Sequence, residues 1–114
     1  MATCAVLRDH GYRPMPATHG VDANWVLERH AGAVALVVTD LMPPAPDGYQ
    51  LGIPFAMLRP YTPVLFTGRA TRSENLRRGL LHAAAPYLQV PAAPLTLARR
   101  VRDVIAGWPA LPAA

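Results

Sequence analysis

The chain has 114 residues, 52% of them hydrophobic and 16% charged, with a net charge of +4. That is the length of one domain, enough to bury roughly two-thirds of the unfolded surface, and too apolar for a disordered chain. No apolar run approaches the roughly 20 residues that cross a bilayer. The first residues meet charge too early for a signal peptide, and the single Cys4 excludes an internal disulfide, so a cytoplasmic protein is expected. All the basic side chains are arginine; lysine is absent. A basic balance suits nucleic acid, an acidic protein surface or anionic lipid. With so much Ala and Pro it also fits the bias of a GC-rich genome.

Ala2 to His10 reads as a short helix ended near Gly11. Arg13 to Ala17 is strand-like but weak, because Pro14 and Pro16 each remove a ladder donor. Val21 to His30 places Ala23, Val26, Leu27 and His30 at helical spacing, with Gly32 beyond the end. Val34 to Thr39 is a continuous apolar run, the pattern of a strand buried in a parallel sheet. Tyr49 to Leu58 suits a kinked or shortened helix, since Pro54 would cost about 3 kcal/mol in a regular interior.

Pro63 to Thr67 is a second buried strand, stopped by Gly68. Thr71 and Glu74 have capping-box spacing, and the helix they open is expected to turn Leu76, Leu80 and Ala84 inward and Arg77 and Arg78 outward. Tyr87 to Val90 is a short strand before Pro91. The last helix carries Pro94 in its first turn and Leu97, Val101, Val104, Ile105 and Trp108 on one face. Arg99, Arg100 and Arg102 face away. Residues 1–108 form the expected domain, and 109–114 a frayed tail. Alternating helix and strand predicts an α/β fold on a parallel sheet.

The most informative stretch is Val37-Val38-Thr39-Asp40-Leu41-Met42-Pro43-Pro44-Ala45-Pro46-Asp47-Gly48. An apolar run ends on a carboxylate, and ligands of open α/β sheets gather at the carboxyl ends of strands. Asp40, Pro44, Asp47 and Gly48, with the strand Val64 to Thr67 and the segment Tyr87-Leu88-Gln89-Val90-Pro91, make the chain from Gly11 to Trp108 resemble the receiver domain of bacterial two-component response regulators. The resemblance implies a three-layer, flavodoxin-like parallel sheet. It also implies a phosphorelay: a sensor histidine kinase passes a phosphoryl group to Asp40. Mg²⁺ would be held by Asp40 and the Met42 backbone carbonyl together with an acidic pair. Thr67 and Tyr87 become the switch hydroxyl and aromatic. The last two helices and the strand between them become the face for a partner, an output protein or a second copy, with Tyr87, Arg99 and Arg102 on it.

Two departures matter. Val90 stands where the family carries a Lys, and an apolar side chain cannot pair with phosphate. No Asp or Glu precedes Asp9, so the central first strand and its acidic pair are expected to be absent, leaving the first helix without its sheet anchor. Asp40 alone is then a poor Mg²⁺ site. The reading is an atypical, non-enzymatic receiver with impaired phosphorylation that works through protein contacts. One alternative is a conventional phosphoacceptor whose first strand lies outside this chain; another is a basic nucleic-acid adaptor, against which no aromatic interleaving or recognition helix is visible. Bland readings stand beside the sharp ones: Asp40 as a strand-end carboxylate bonded to loop N–H groups, Thr67 bonded to local backbone, Tyr87 as a half-buried strand residue. Cys4 has no positioned His, and the four histidines show no metal spacing.

Overall fold

The computed structural model describes residues 3–16, 29, 34–40, 62–81 and 83–108. Among them the chain forms α1 (Thr3–Asp9), β1 (Val37–Asp40), β2 (Val64–Gly68), α2 (Arg72–Arg77), β3 (Tyr87–Gln89) and α3 (Pro94–Gly107). The three strands make one parallel sheet in the order β1-β2-β3. All five residues of β2 are buried, as befits the strand flanked on both edges and covered on both faces. The expected helices at Val21–His30 and Tyr49–Leu58 lie outside the described residues, apart from Arg29. Of the weak Arg13–Ala17 segment, residues 13–16 are irregular rather than a strand, as two prolines would dictate.

Alternation along β2 sorts the core into two clusters. Val64 and Phe66 pack with Leu81 and Tyr87 on one face. Leu65 packs with Leu88, with Leu97, Val101 and Val104 of α3, and with Val6 of α1 on the other. Leu65 and Leu97 are fully buried. Val6 therefore carries α1 into the sheet's own core cluster, and α1 also packs against α3. The expected loss of an anchor for this helix is thus corrected: apolar side chains hold it.

Both short helices end in the same way. After α1, Tyr12 N–H donates to the Leu7 carbonyl (3.0 Å) and Gly11 N–H to that of Arg8 (3.1 Å). After α2, Leu80 N–H donates to Asn75 (3.0 Å) and Gly79 N–H to Leu76 (3.1 Å). These are Schellman motifs, and Gly11 (φ 89°) and Gly79 (φ 71°) take the left-handed position they require. The stop at Gly79 shortens α2 and corrects its expected inward face. Leu76 is 37% exposed, Ala84 is exposed and Leu80 half-buried; Asn75 and Leu81 are buried instead. Half of the capping box forms, with Glu74 N–H donating to Thr71 Oγ1 at 3.2 Å. The Glu74 carboxylate is engaged by Arg78 (3.2 Å).

α3 buries Leu97, Val101 and Val104 as its spacing predicts, and Ala98 as well, while Ile105 and Trp108 are half-buried. Arg99 and Arg102 are exposed. Arg100 departs from expectation: its guanidinium folds back and donates to the Tyr87 carbonyl. No helix among the described residues is long and apolar enough to cross a membrane.

Candidate functional site

Asp40 is the last residue of β1 and is exposed, while Thr39 before it is buried. In the ladder, Asp40 lies beside Thr67 of β2, and Thr67 beside Leu88 of β3. Neighbouring strands run about 4.8 Å apart, so side chains in one row share a face. The carboxylate and the buried Thr67 hydroxyl are thus adjacent at the carboxyl end of the sheet. Val90 lies on the same face one step further along; its N–H donates to the Gly68 carbonyl (2.8 Å) and its side chain packs on the Leu65–Leu97 cluster. The peptide bond from Val90 to Pro91 is cis.

This arrangement presents a nucleophilic carboxylate to solvent with a hydroxyl at its side. The row continues with Leu88, and the next side chain on that face is the isopropyl group of Val90, so neither carries a cation toward the carboxylate. Met42 and residues 43–48 lie outside the described residues. Among the described residues, no group of three His, Cys, Asp or Glu side chains gathers in metal-binding geometry. The donors described at Asp40 therefore do not by themselves fit Mg²⁺, which needs near-octahedral oxygen ligation.

Tyr87 points inward on the opposite face. It is 5% exposed among Val64, Phe66 and Leu81. Its hydroxyl donates to the Ala70 carbonyl at 2.5 Å. Burial pushes the phenol above its ordinary value of 10.0; a hydrogen bond from the Asn75 side chain works the other way, and the Asp40 charge adds to the rise. Asn75 is itself 3% exposed and donates to the Thr71 carbonyl at 3.2 Å. The ring closes over Gly68, where a Cβ would stand 2.7 Å from the hydroxyl oxygen.

The 69–72 segment after β2 is tied to β3 and the turn before it. Gln89 donates to the Arg69 carbonyl (2.9 Å), and Arg72 donates to the carbonyls of Ala85 (2.6 Å) and Ala83. The structure thus brings Asp40 and Thr67 together, seats Tyr87 across the sheet from them, and leaves Arg99 and Arg102 apart on the outer face of α3. Neither the place of Gly68 under the Tyr87 ring nor the burial of Asn75 was read from the sequence. A strand-end glycine opposite an aromatic strand, and an amide four residues past a cap, were the available signals.

No family model matches the chain. It is 30% identical over 100 residues to an uncharacterised transcriptional regulatory protein, YbdJ, of Bacillus subtilis, a match that covers 88% of this chain and 43% of that protein. The chain therefore spans less than half the length of this curated relative. Among solved structures, a candidate response regulator from Chloroflexus aurantiacus is 26% identical with a TM-score of 0.71, over 90% of this chain and 84% of that one. The receiver domain of NtrX from Brucella abortus superposes with a TM-score of 0.77 at 18% identity, over 92% and 88% of the two chains. The chemotaxis protein CheY4 of Vibrio cholerae gives 0.74 at 23%, over 89% and 84%.

Proposed function

Because the chain has the receiver fold of response regulators, we infer that it is a signalling module of a two-component system, atypical in its chemistry, that acts through protein contacts and not as an enzyme. The observation that carries this is the row at the end of the sheet. Asp40 and Thr67 stand side by side, and Val90 follows on their face with its side chain packed into the apolar core. A phosphoryl group on Asp40 would meet the Thr67 hydroxyl but no cation from Val90. Asp40 remains the residue that would accept phosphate, and Thr67 and Tyr87 the residues that would respond. A sensor histidine kinase or an output protein is the partner, met at the side of the molecule formed by α2, β3 and α3, where Arg99 and Arg102 are exposed and Tyr87, buried in this arrangement, would have to turn outward to take part. Regulation of transcription enters through the Bacillus subtilis relative and is part of the same proposal.

Incubation with acetyl phosphate and Mg²⁺, followed by intact mass measurement, tests this reading. The expected result is no lasting gain of one phosphoryl mass. A gain that disappears in Asp40→Asn would establish a conventional phosphoacceptor instead. That second reading draws support from the adjacency of Asp40 and Thr67.

A further inference from the structure

Val90 brings no cation to the row of Asp40 and Thr67, but the same end of the sheet carries an arginine. Among the described residues, Arg69 is the arginine that directly follows a strand, one residue past the end of β2. Its neighbours are otherwise engaged or placed elsewhere. Arg72 and Arg100 donate to backbone carbonyls, Arg78 pairs with Glu74, and Arg99 and Arg102 lie on α3. Arg69 is exposed, and its side chain enters no hydrogen bond or ion pair among the described residues.

The backbone of Arg69 is held on both sides. The Gly68 carbonyl, in the peptide that leads into Arg69, accepts from Val90 N–H at 2.8 Å. The Arg69 carbonyl accepts from the Gln89 side chain at 2.9 Å. The ladder thus keeps its register as far as this peptide, with Gly68 opposite Gln89. Side chains alternate along a strand, so the Cβ of Arg69 falls on the face of Leu65 and Thr67, which is also the face of Asp40. A rise of about 3.3 Å per residue and a spacing of about 4.8 Å between strands put Arg69 about 8 Å from Asp40, Cα to Cα, one strand across and two residues along. The same geometry puts Val90 two strands across, at about 12 Å. The long arginine stem spans the shorter gap with its charge at the far end.

We propose that Arg69 is the cation of this site, binding the oxygens of a phosphoryl group on Asp40 in place of the side chain that Val90 lacks. The proposal rests on the reading of Asp40 as the residue that would accept phosphate. The Thr67 hydroxyl donates to one phosphoryl oxygen, and the planar guanidinium takes two with its fork of N–H groups. In the transfer, an Asp40 carboxylate oxygen attacks the phosphorus of an acyl phosphate donor. The bond from phosphorus to the donor's bridging oxygen breaks, and the carboxylate of the donor leaves with the electron pair. Water then attacks the same phosphorus, releases orthophosphate and the Asp40 carboxylate, and gives its proton to solvent. Charge gathers on the phosphoryl oxygens in both steps, so Arg69 assists formation and loss alike. That fits a group that forms and does not last.

The test follows orthophosphate released from acetyl phosphate by the full chain with Mg²⁺, in excess of the rate without protein. Asp40→Asn should abolish the excess. Arg69→Ala should lower it about tenfold, the loss of a hydrogen bond to a charged group, and Arg69→Lys should keep part of it. Both variants should melt as the parent does, since the side chain is exposed. Arg99→Ala removes the same charge elsewhere and should leave the rate unchanged. No excess release by the parent, an excess that persists in Asp40→Asn, a rate in Arg69→Ala equal to that of the parent, or an equal fall in Arg99→Ala would each overturn the proposal. A lasting gain of phosphoryl mass would sink the reading of impaired phosphorylation and leave a dependence on Arg69 standing. Release indifferent to Arg69, with no lasting gain, would do the reverse, so the two failures can be told apart.

Discussion

A methyl group at Gly68 would stand 2.7 Å from the Tyr87 hydroxyl and 3.4 Å from the ring. The nearest atom belongs to the far end of a side chain, so the phenol can yield where backbone could not. Gly68→Ala should therefore turn Tyr87 out of its pocket and break its bond to the Ala70 carbonyl. Tyr87→Phe removes only the hydroxyl, at a cost of about 1 kcal/mol for the lost bond. Gly68→Ala should cost clearly less in the Tyr87→Phe background than in the parent chain, because the clashing oxygen is gone. A double-mutant cycle by chemical denaturation measures this; strictly additive costs would show that the two residues do not meet. The ends of these strands were legible to within one residue from where an apolar run stops: β1 runs to Asp40 and β2 to Gly68, one residue past Thr39 and Thr67. The sequence could not place Gly68 under Tyr87, since that contact depends on the register of β2 against β3, where Phe66 lies opposite Tyr87 and Gly68 opposite Gln89. Register is a property of two strands, and one strand's sequence carries little of it.

At the scale of elements, α1, the three strands and α3 follow from apolar runs and periodic spacing, but β1 covers Val37–Asp40 rather than Val34–Thr39, and β2 runs on through the buried Gly68 that was expected to stop it. α2 does not follow in this way, and the reason is local. Its pattern continues past Arg77, but the paired hydrogen bonds at Gly79 and Leu80 end it after six residues. So short a helix gains little from its own propagation, and its hold is the cap together with Asn75 and the straps from Arg72. Thr71→Ala should destabilise the protein by about 1 kcal/mol, and Thr71→Ser should restore most of the loss. Thermal or urea melts check both; equal stability of the Ala and Ser variants would remove the cap from the account. The arginine pattern was legible as outward-facing on α2 and α3, yet Arg100 turned inward to a carbonyl. Periodicity gives the direction of a Cβ and not the reach of a long side chain.

At the scale of the whole molecule, Tyr87 couples stability to pH. Burial raises its pKa above 10.0, the Asp40 charge raises it further, and the Asn75 bond opposes. The folded state thus holds the phenolic proton more tightly than the unfolded state. That stabilisation is complete below the unfolded value and is lost as pH rises through the higher folded one. Melting temperature should fall between about pH 9 and about pH 11, and Tyr87→Phe should show a shallower fall; equal slopes would discount this residue as the source. The bond from Arg100 to the Tyr87 carbonyl has a different reach. Pro86 O and Val90 N point toward β2, so the carbonyl between them opens to the outer side of β3, the margin where a foreign strand would pair. With an arginine seated on that acceptor and the strand only three residues long, this margin offers little template for extension of the sheet. A strand approaching this side would have to displace the guanidinium from the Tyr87 carbonyl before it could form that hydrogen bond.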